Sequence, residues 1–185
     1  MDASTQKLRL MVYSSIMASL MAVGAYIAIP IGPVPIVLQN LFVMLAALLL
    51  GGRWGFISVC VYLLAGAVGL PVFAGGTGGL GKFVGPTGGY LVGFAAAAYL
   101  IGAISEKGKG NVFIDVLAMC MGTAVIYAIG VSWLKVVTDM TFAKSFAVGA
   151  LPFLLGDVLK ILAAVSIAKA VRPMISERLI TLRTT

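Results

Sequence analysis

The chain has 185 residues, of which 61% are hydrophobic and 10% charged; soluble domains carry about a quarter charged residues, so an ordinary soluble fold is excluded. The net charge of +7 does not mark a nucleic-acid binder, because the basic residues fall between apolar segments and form no patch interleaved with aromatics. There is no histidine, and Cys60 and Cys120 each sit inside an apolar run, which argues against zinc sites, disulfide frameworks, His-based catalysis and any resident cofactor.

Apolar runs bounded by glycine, proline and charge predict an all-α integral membrane protein, a single domain of six spans at 8–29, 39–50, 55–70, 89–105, 112–135 and 148–171. The first span follows Lys7 and Arg9 as a signal peptide would, but it is too long for one and lacks a small-residue cleavage site, so it is read as retained. Within it Ser14, Ala18 and Ala22 recur every four residues, a stripe that lets another helix approach closely. That neighbour is either this bundle or a separate subunit. The second and third spans are short, about 18 and 24 Å of helix against a hydrocarbon core of about 30 Å. The connectors beside them, 30–38 and 71–88, are nearly uncharged. Irregular backbone persists at membrane depth only where protein buries it or it lines a cavity, so both connectors are expected to fold inward as walls of an outer cavity.

All seven prolines are expected in loops or at span ends, with Pro152 in the first turn of the sixth span and Pro173 just past its end. Lys7, Arg9, Arg53, Lys107, Lys109, Lys169, Arg172, Arg178 and Arg183 fall on one side of these spans, and Lys82, Lys135 and Lys144 on the other. The excess of basic residues in cytoplasmic loops then places both termini in the cytoplasm.

Gln39 and Asn40 follow Pro33-Val34-Pro35 at the outer mouth of the second span. Their amides either cap that helix or match a cyclic amide or urea, which needs both donors and acceptors. The glycine-rich run 71–83 contains Gly76 and Gly81-Lys82 at phosphate-loop spacing, but Phe83 stands where Ser or Thr should meet magnesium and no strand precedes it. It is read as a chance match whose free amides suit close packing or a ligand. Lys82 is either a steering charge for an anion or a solvated loop lysine. Tyr90 and Trp133 offer flat walls, although such residues also gather at membrane interfaces. Asp115 is read as a cap or the partner of a loop cation.

The sixth span carries Asp157 and Lys160, which share a helical face at i, i+3. A charge at the bilayer centre costs at least about 2.5 kcal/mol, so the pair is either a structural ion pair or the anchor of a small ligand. Lys160 is expected about 18 Å below the start of the span at Val148.

Four blocks carry a family resemblance: Gly32-Pro33-Val34-Pro35 leading to Leu38-Gln39, Gly69-Leu70-Pro71-Val72-Phe73-Ala74, the ten residues Gly85 to Phe94, and Gly156-Asp157 with Lys160. In these blocks and in its six spans the chain resembles the BioY family, biotin-specific capture subunits of energy-coupling-factor (ECF) transporters, departing from it at Val37, where that family has threonine. The resemblance implies a non-enzymatic protein of a bacterial-type cell membrane that takes biotin from outside. It also implies a transmembrane scaffold subunit and two cytoplasmic ATPases as partners, tilting of the capture subunit during transport, and docking through Ser14, Ala18 and Ala22. Asp157 is expected to accept a ureido N–H and Lys160 to donate to the ureido carbonyl. The biotin carboxylate is expected near Lys82 or the glycine amides, Gly88 and Gly89 among them. A self-sufficient carrier of another small vitamin or anion, and a ligand-free membrane scaffold, are the competing readings.

Overall fold

A computed structural model describes residues 3–30 and 32–180, with side chains described for 4–30 and 32–175. Its elements are α1 (Ala3–Tyr26), β1 (Ala28–Ile29), β2 (Ile36–Val37), α2 (Gln39–Ala67), α3 (Gly81–Val84), α4 (Gly88–Gly108), α5 (Val112–Thr138), α6 (Phe142–Gly149) and α7 (Leu151–Ile180). Five helices, α1, α2, α4, α5 and α7, are long and apolar enough to cross a membrane. Beside them β1 and β2 form a two-residue antiparallel hairpin pairing Ala28 with Val37 and Ile29 with Ile36.

The spans predicted at 39–50 and 55–70 are both parts of α2, which is broken at Gly51. A straight helix of this length would reach about 43 Å, yet both ends of α2 lie beside the end of α1. Leu38 N–H donates to Gly24 O (3.1 Å), and the Tyr26 hydroxyl donates to Pro71 O just beyond α2. A Cβ on Gly55 would stand 2.8 Å from Ala47 Cα, whereas residues eight apart in one helix are separated by about 12 Å. The chain therefore doubles back at Gly51, whose φ of 80° belongs to the left-handed region that glycine takes without a Cβ clash.

The bundle thus has a Gly51 end and a β-hairpin end. Lys7, Arg9, Arg53, Lys107, Lys109, Lys169 and Arg172 belong to the Gly51 end, and Lys82, Lys135 and Lys144 to the other. The side chain of Arg178 and all of Arg183 lie outside the described residues.

Two boundaries differ from expectation. Val148 lies in the last turn of the short helix α6, which is capped by Thr141, whose hydroxyl accepts from Lys144 N–H. The last long helix starts only at Leu151, and it runs through Pro173 to Ile180 instead of stopping before the proline. Lys160 is consequently about 14 Å from the start of its helix, shallower than the expected 18 Å.

The small-residue stripe on α1 faces inward. Ser14 and Ala18 are buried, Ala22 is half-buried against the core, and Ser14 Oγ donates to Trp54 O at 3.5 Å. These residues pack α1 on α2, so they are not a free docking face. The outward face of α1 is formed by Leu8, Met11, Val12, Ile16 and Val23.

Candidate functional site

Two adjoining cavities open at the β-hairpin end, of about 170 and 40 Å³. They share walls made by Val34, Pro35, Val37, Tyr90 and Phe94, so they are two lobes of one space. As expected, the connectors supply walls: the β1–β2 loop gives Val34 and Pro35, and the second connector gives Phe73, Ala74 and Thr77. That second connector is stitched by Phe73 N–H to Thr77 O (2.8 Å) across Gly75 and Gly76, both at positive φ. Its Phe73 ring is buried over Gly66 and stands edge-on to Tyr62 and Phe83. No strand leads into this segment, in keeping with a chance match to a phosphate loop.

Asp157 organises the deep, smaller lobe. It is 2% exposed, and its Oδ1 accepts from Lys160 Nζ (3.1 Å) and Asn40 Nδ2 (3.2 Å). Its Oδ2 accepts from the Tyr127 hydroxyl. One carboxylate thus ties together α2, α5 and α7. Asp157 itself does not reach the cavity wall, whereas Asn40, Tyr127 and Lys160 do. This changes the role expected of it: the carboxylate lies behind the wall and holds three polar groups in position. Two buried atoms here have no protein partner, Asn40 Oδ1, an acceptor, and Gln39 Nε2, a donor. Buried polar atoms are rarely left unpaired in folded proteins, so both mark a polar surface built for something else.

The larger lobe has Gln39, Thr77, Lys82 and Thr87 as its polar lining. Tyr90 lines both lobes and donates its hydroxyl to Gly149 O at 2.8 Å. Gly88, Gly89 and Trp133, expected at the ligand, are elsewhere. A Cβ on Gly88 would meet Phe83 O at 1.9 Å, and one on Gly89 would meet Trp133 Cβ at 2.3 Å. Gly88 lets the end of α3 close onto the start of α4 and Gly89 lets α5 approach it, while Trp133 Nε1 donates to Gly85 O at 2.9 Å. None of the three lines a lobe.

A larger cavity, about 620 Å³, opens at the Gly51 end. Beside it Arg172 donates to Asp115 Oδ2 (2.6 Å), Ser105 Oγ (2.7 Å) and Leu48 O (3.1 Å), and Ser105 Oγ donates to Asp115 Oδ1 (2.6 Å). Asp115 therefore meets a cation on α7, not one in a loop. This network joins α2, α4, α5 and α7 with its members satisfying one another, and bidentate guanidinium pairing of this kind is a strong fastening. The unpaired amides at the smaller cavity make that one the candidate site despite its size.

Apolar helices packed around a cavity with a charged, hydrogen-bonded floor define a multi-pass membrane protein with room for a small solute. The BioY family model matches residues 1–177. The "Probable biotin transporter BioY" of Pyrococcus horikoshii is 44% identical over 155 residues, covering 84% of this chain and 91% of that protein. The "Biotin transporter BioY" of Thermotoga maritima is 41% identical over 171 residues, covering 92% and 100%. The crystal structure of the S-component for biotin from an ECF-type ABC transporter superposes with a TM-score of 0.87 at 33% identity, covering 94% of this chain and 95% of that one. The chain belongs to the BioY family.

Proposed function

We propose that this protein is the biotin-capture subunit of an ECF-type transporter and performs no chemistry of its own. The observation that carries the reading is the Asp157-centred cluster behind the two-lobed cavity, whose lining residues leave Asn40 Oδ1 and Gln39 Nε2 unpaired. Biotin has a urea with two donors and one acceptor, an apolar thioether ring, and a carboxylate on a flexible chain. Lys160 donates to the ureido carbonyl and Asn40 Oδ1 accepts a ureido N–H, while Asp157 offsets the lysine charge and orients both. Phe94, Phe153 and Ile126 supply apolar walls for the rings. The chain extends into the larger lobe, where Lys82, Thr77 and Gln39 Nε2 receive the carboxylate. Together the lobes are smaller than the roughly 300 Å³ at the low end of ligand sites, so seating biotin displaces outward the first connector, whose Val34, Pro35 and Val37 line both lobes.

In this reading the chain is one membrane domain crossing the bilayer six times, with α2 supplying two passes on either side of Gly51. The basic Gly51 end faces the cytoplasm of a bacterial-type cell, with both termini there, and biotin arrives from outside. A transmembrane scaffold subunit and two cytoplasmic ATPases drive its delivery. Calorimetric titration of biotin into the detergent-solubilised chain is expected to give saturable binding that Lys160→Ala abolishes. Absence of binding by folded wild-type protein would overturn the proposal.

A further inference from the structure

Away from the biotin cavity, a groove of about 400 Å³ opens at the Gly51 end between the start of α1 and the tip of α2. Gln6, Lys7 and Leu10 come from α1, and Arg53 and Trp54 from α2. Neither Lys7 nor Arg53 belongs to an ion pair among the described residues, in contrast to Lys160 and Arg172. Among the described residues no carboxylate lines the groove; Glu106, which covers Gly51, borders the separate 620 Å³ cavity. The groove wall is firm, because the carbonyl of Trp54 accepts from both Ser58 Oγ (2.8 Å) and Ser14 Oγ (3.5 Å). The same end of α1 exposes Leu8, Met11 and Val12.

We propose that this groove binds an anionic glycerophospholipid, with its phosphodiester between Lys7 and Arg53. Basic pockets between helices on the cytoplasmic side suit lipid headgroups, and indole rings prefer the headgroup level. Leu10 floors the groove, Gln6 offers an amide to the glycerol region, and the apolar strip on α1 gives the acyl chains a track. Two cations facing one phosphate leave a positive excess. A glycerol headgroup tolerates that excess, whereas choline brings a third cation against it. Free phosphate shares the anionic chemistry but cannot use the apolar strip.

The test is native mass spectrometry of the full chain, with melting temperature read in parallel, titrated with short-chain phosphatidylglycerol, phosphatidylcholine or inorganic phosphate. Phosphatidylglycerol is expected to bind best and to raise the melting temperature. Lys7→Gln with Arg53→Gln should weaken it about thirtyfold, at roughly a fivefold loss per charge. Lys135→Gln with Lys144→Gln removes the same charge from the opposite end and should leave binding intact, as should the charge-preserving exchange Lys7→Arg with Arg53→Lys. Should the neutralised pair fail to fold, Arg53→Gln alone decides at about fivefold. Equal binding of phosphatidylcholine, displacement of the lipid by inorganic phosphate, equal losses at both ends, or unchanged binding after neutralisation would each overturn the proposal.

Discussion

Replacing Asp157 with asparagine removes one negative charge from the point where three helices meet. Lys160, 7% exposed, then keeps an ammonium that nothing offsets, and breaking one partner of a buried pair costs about 3–5 kcal/mol. Asparagine retains one accepting oxygen, so the stability loss should fall at the lower end, about 3 kcal/mol. Biotin affinity should fall at least tenfold, about 1.5 kcal/mol, because Lys160 and Asn40 lose their fixed positions. Thermal melting in detergent reads the first effect and calorimetry the second. The informative variant is Asp157→Asn combined with Lys160→Met. Removing both charges is often neutral for stability, so this protein should melt near wild type yet fail to bind biotin. Binding within about twofold of wild type in the double variant would reduce the pair to a structural fastening and refute the proposed site.

Three other outcomes follow from the packing. Ala18→Trp forces a large ring into the buried contact between α1 and α2, and should destabilise the isolated chain by at least about 1–3 kcal/mol; Ser15→Trp, on the exposed face, should leave its melting unchanged. Gly89→Ala sets a Cβ 2.3 Å from Trp133 Cβ, and should cost about 1–3 kcal/mol in stability while biotin binding stays calorimetrically detectable. Arg172→Ala leaves the buried Asp115 without its half-buried cation and should cost about 3 kcal/mol by denaturant titration. Arg172→Lys should rescue it poorly, since a single ammonium lacks the fork that reaches Asp115, Ser105 and Leu48 O together.

What the sequence made legible is local. Apolar run length set out the long helices, and Gly51 fell at the expected break. Asp157 and Lys160 stood out because they are three residues apart in an apolar helix, and Gln39 and Asn40 because they follow the proline-rich connector. Tyr127 was missed: it is 30 residues from Asp157, and one phenol on an apolar helix carries no local mark of its partner. Arg172 and Asp115 are 57 residues apart; the available signal was a buried acid needing a cation among the basic residues assigned to the same end. The direction of the α1 stripe was beyond spacing alone, because small residues serve an internal neighbour and a foreign one equally. Gly88 and Gly89 misled for a related reason, since glycine admits a neighbouring helix as readily as a ligand. The helix α6 was hidden inside what read as a loop, although Thr141 and the spacing of Phe142 and Phe146 were its cues.

Phe73 has a consequence for timing. Its ring fills the niche over Gly66 between Tyr62 and Phe83, while the next residue, Ala74, and Thr77 line the larger lobe. Swinging this connector aside draws a buried aromatic from its niche, which costs about 1.5–3 kcal/mol and slows opening by about ten- to a hundredfold. Such a latch delays arrival and departure alike, so it lengthens the dwell of a bound molecule without changing how tightly it is held. For a protein that captures a solute and passes it on, as proposed, that patience is worth more than speed.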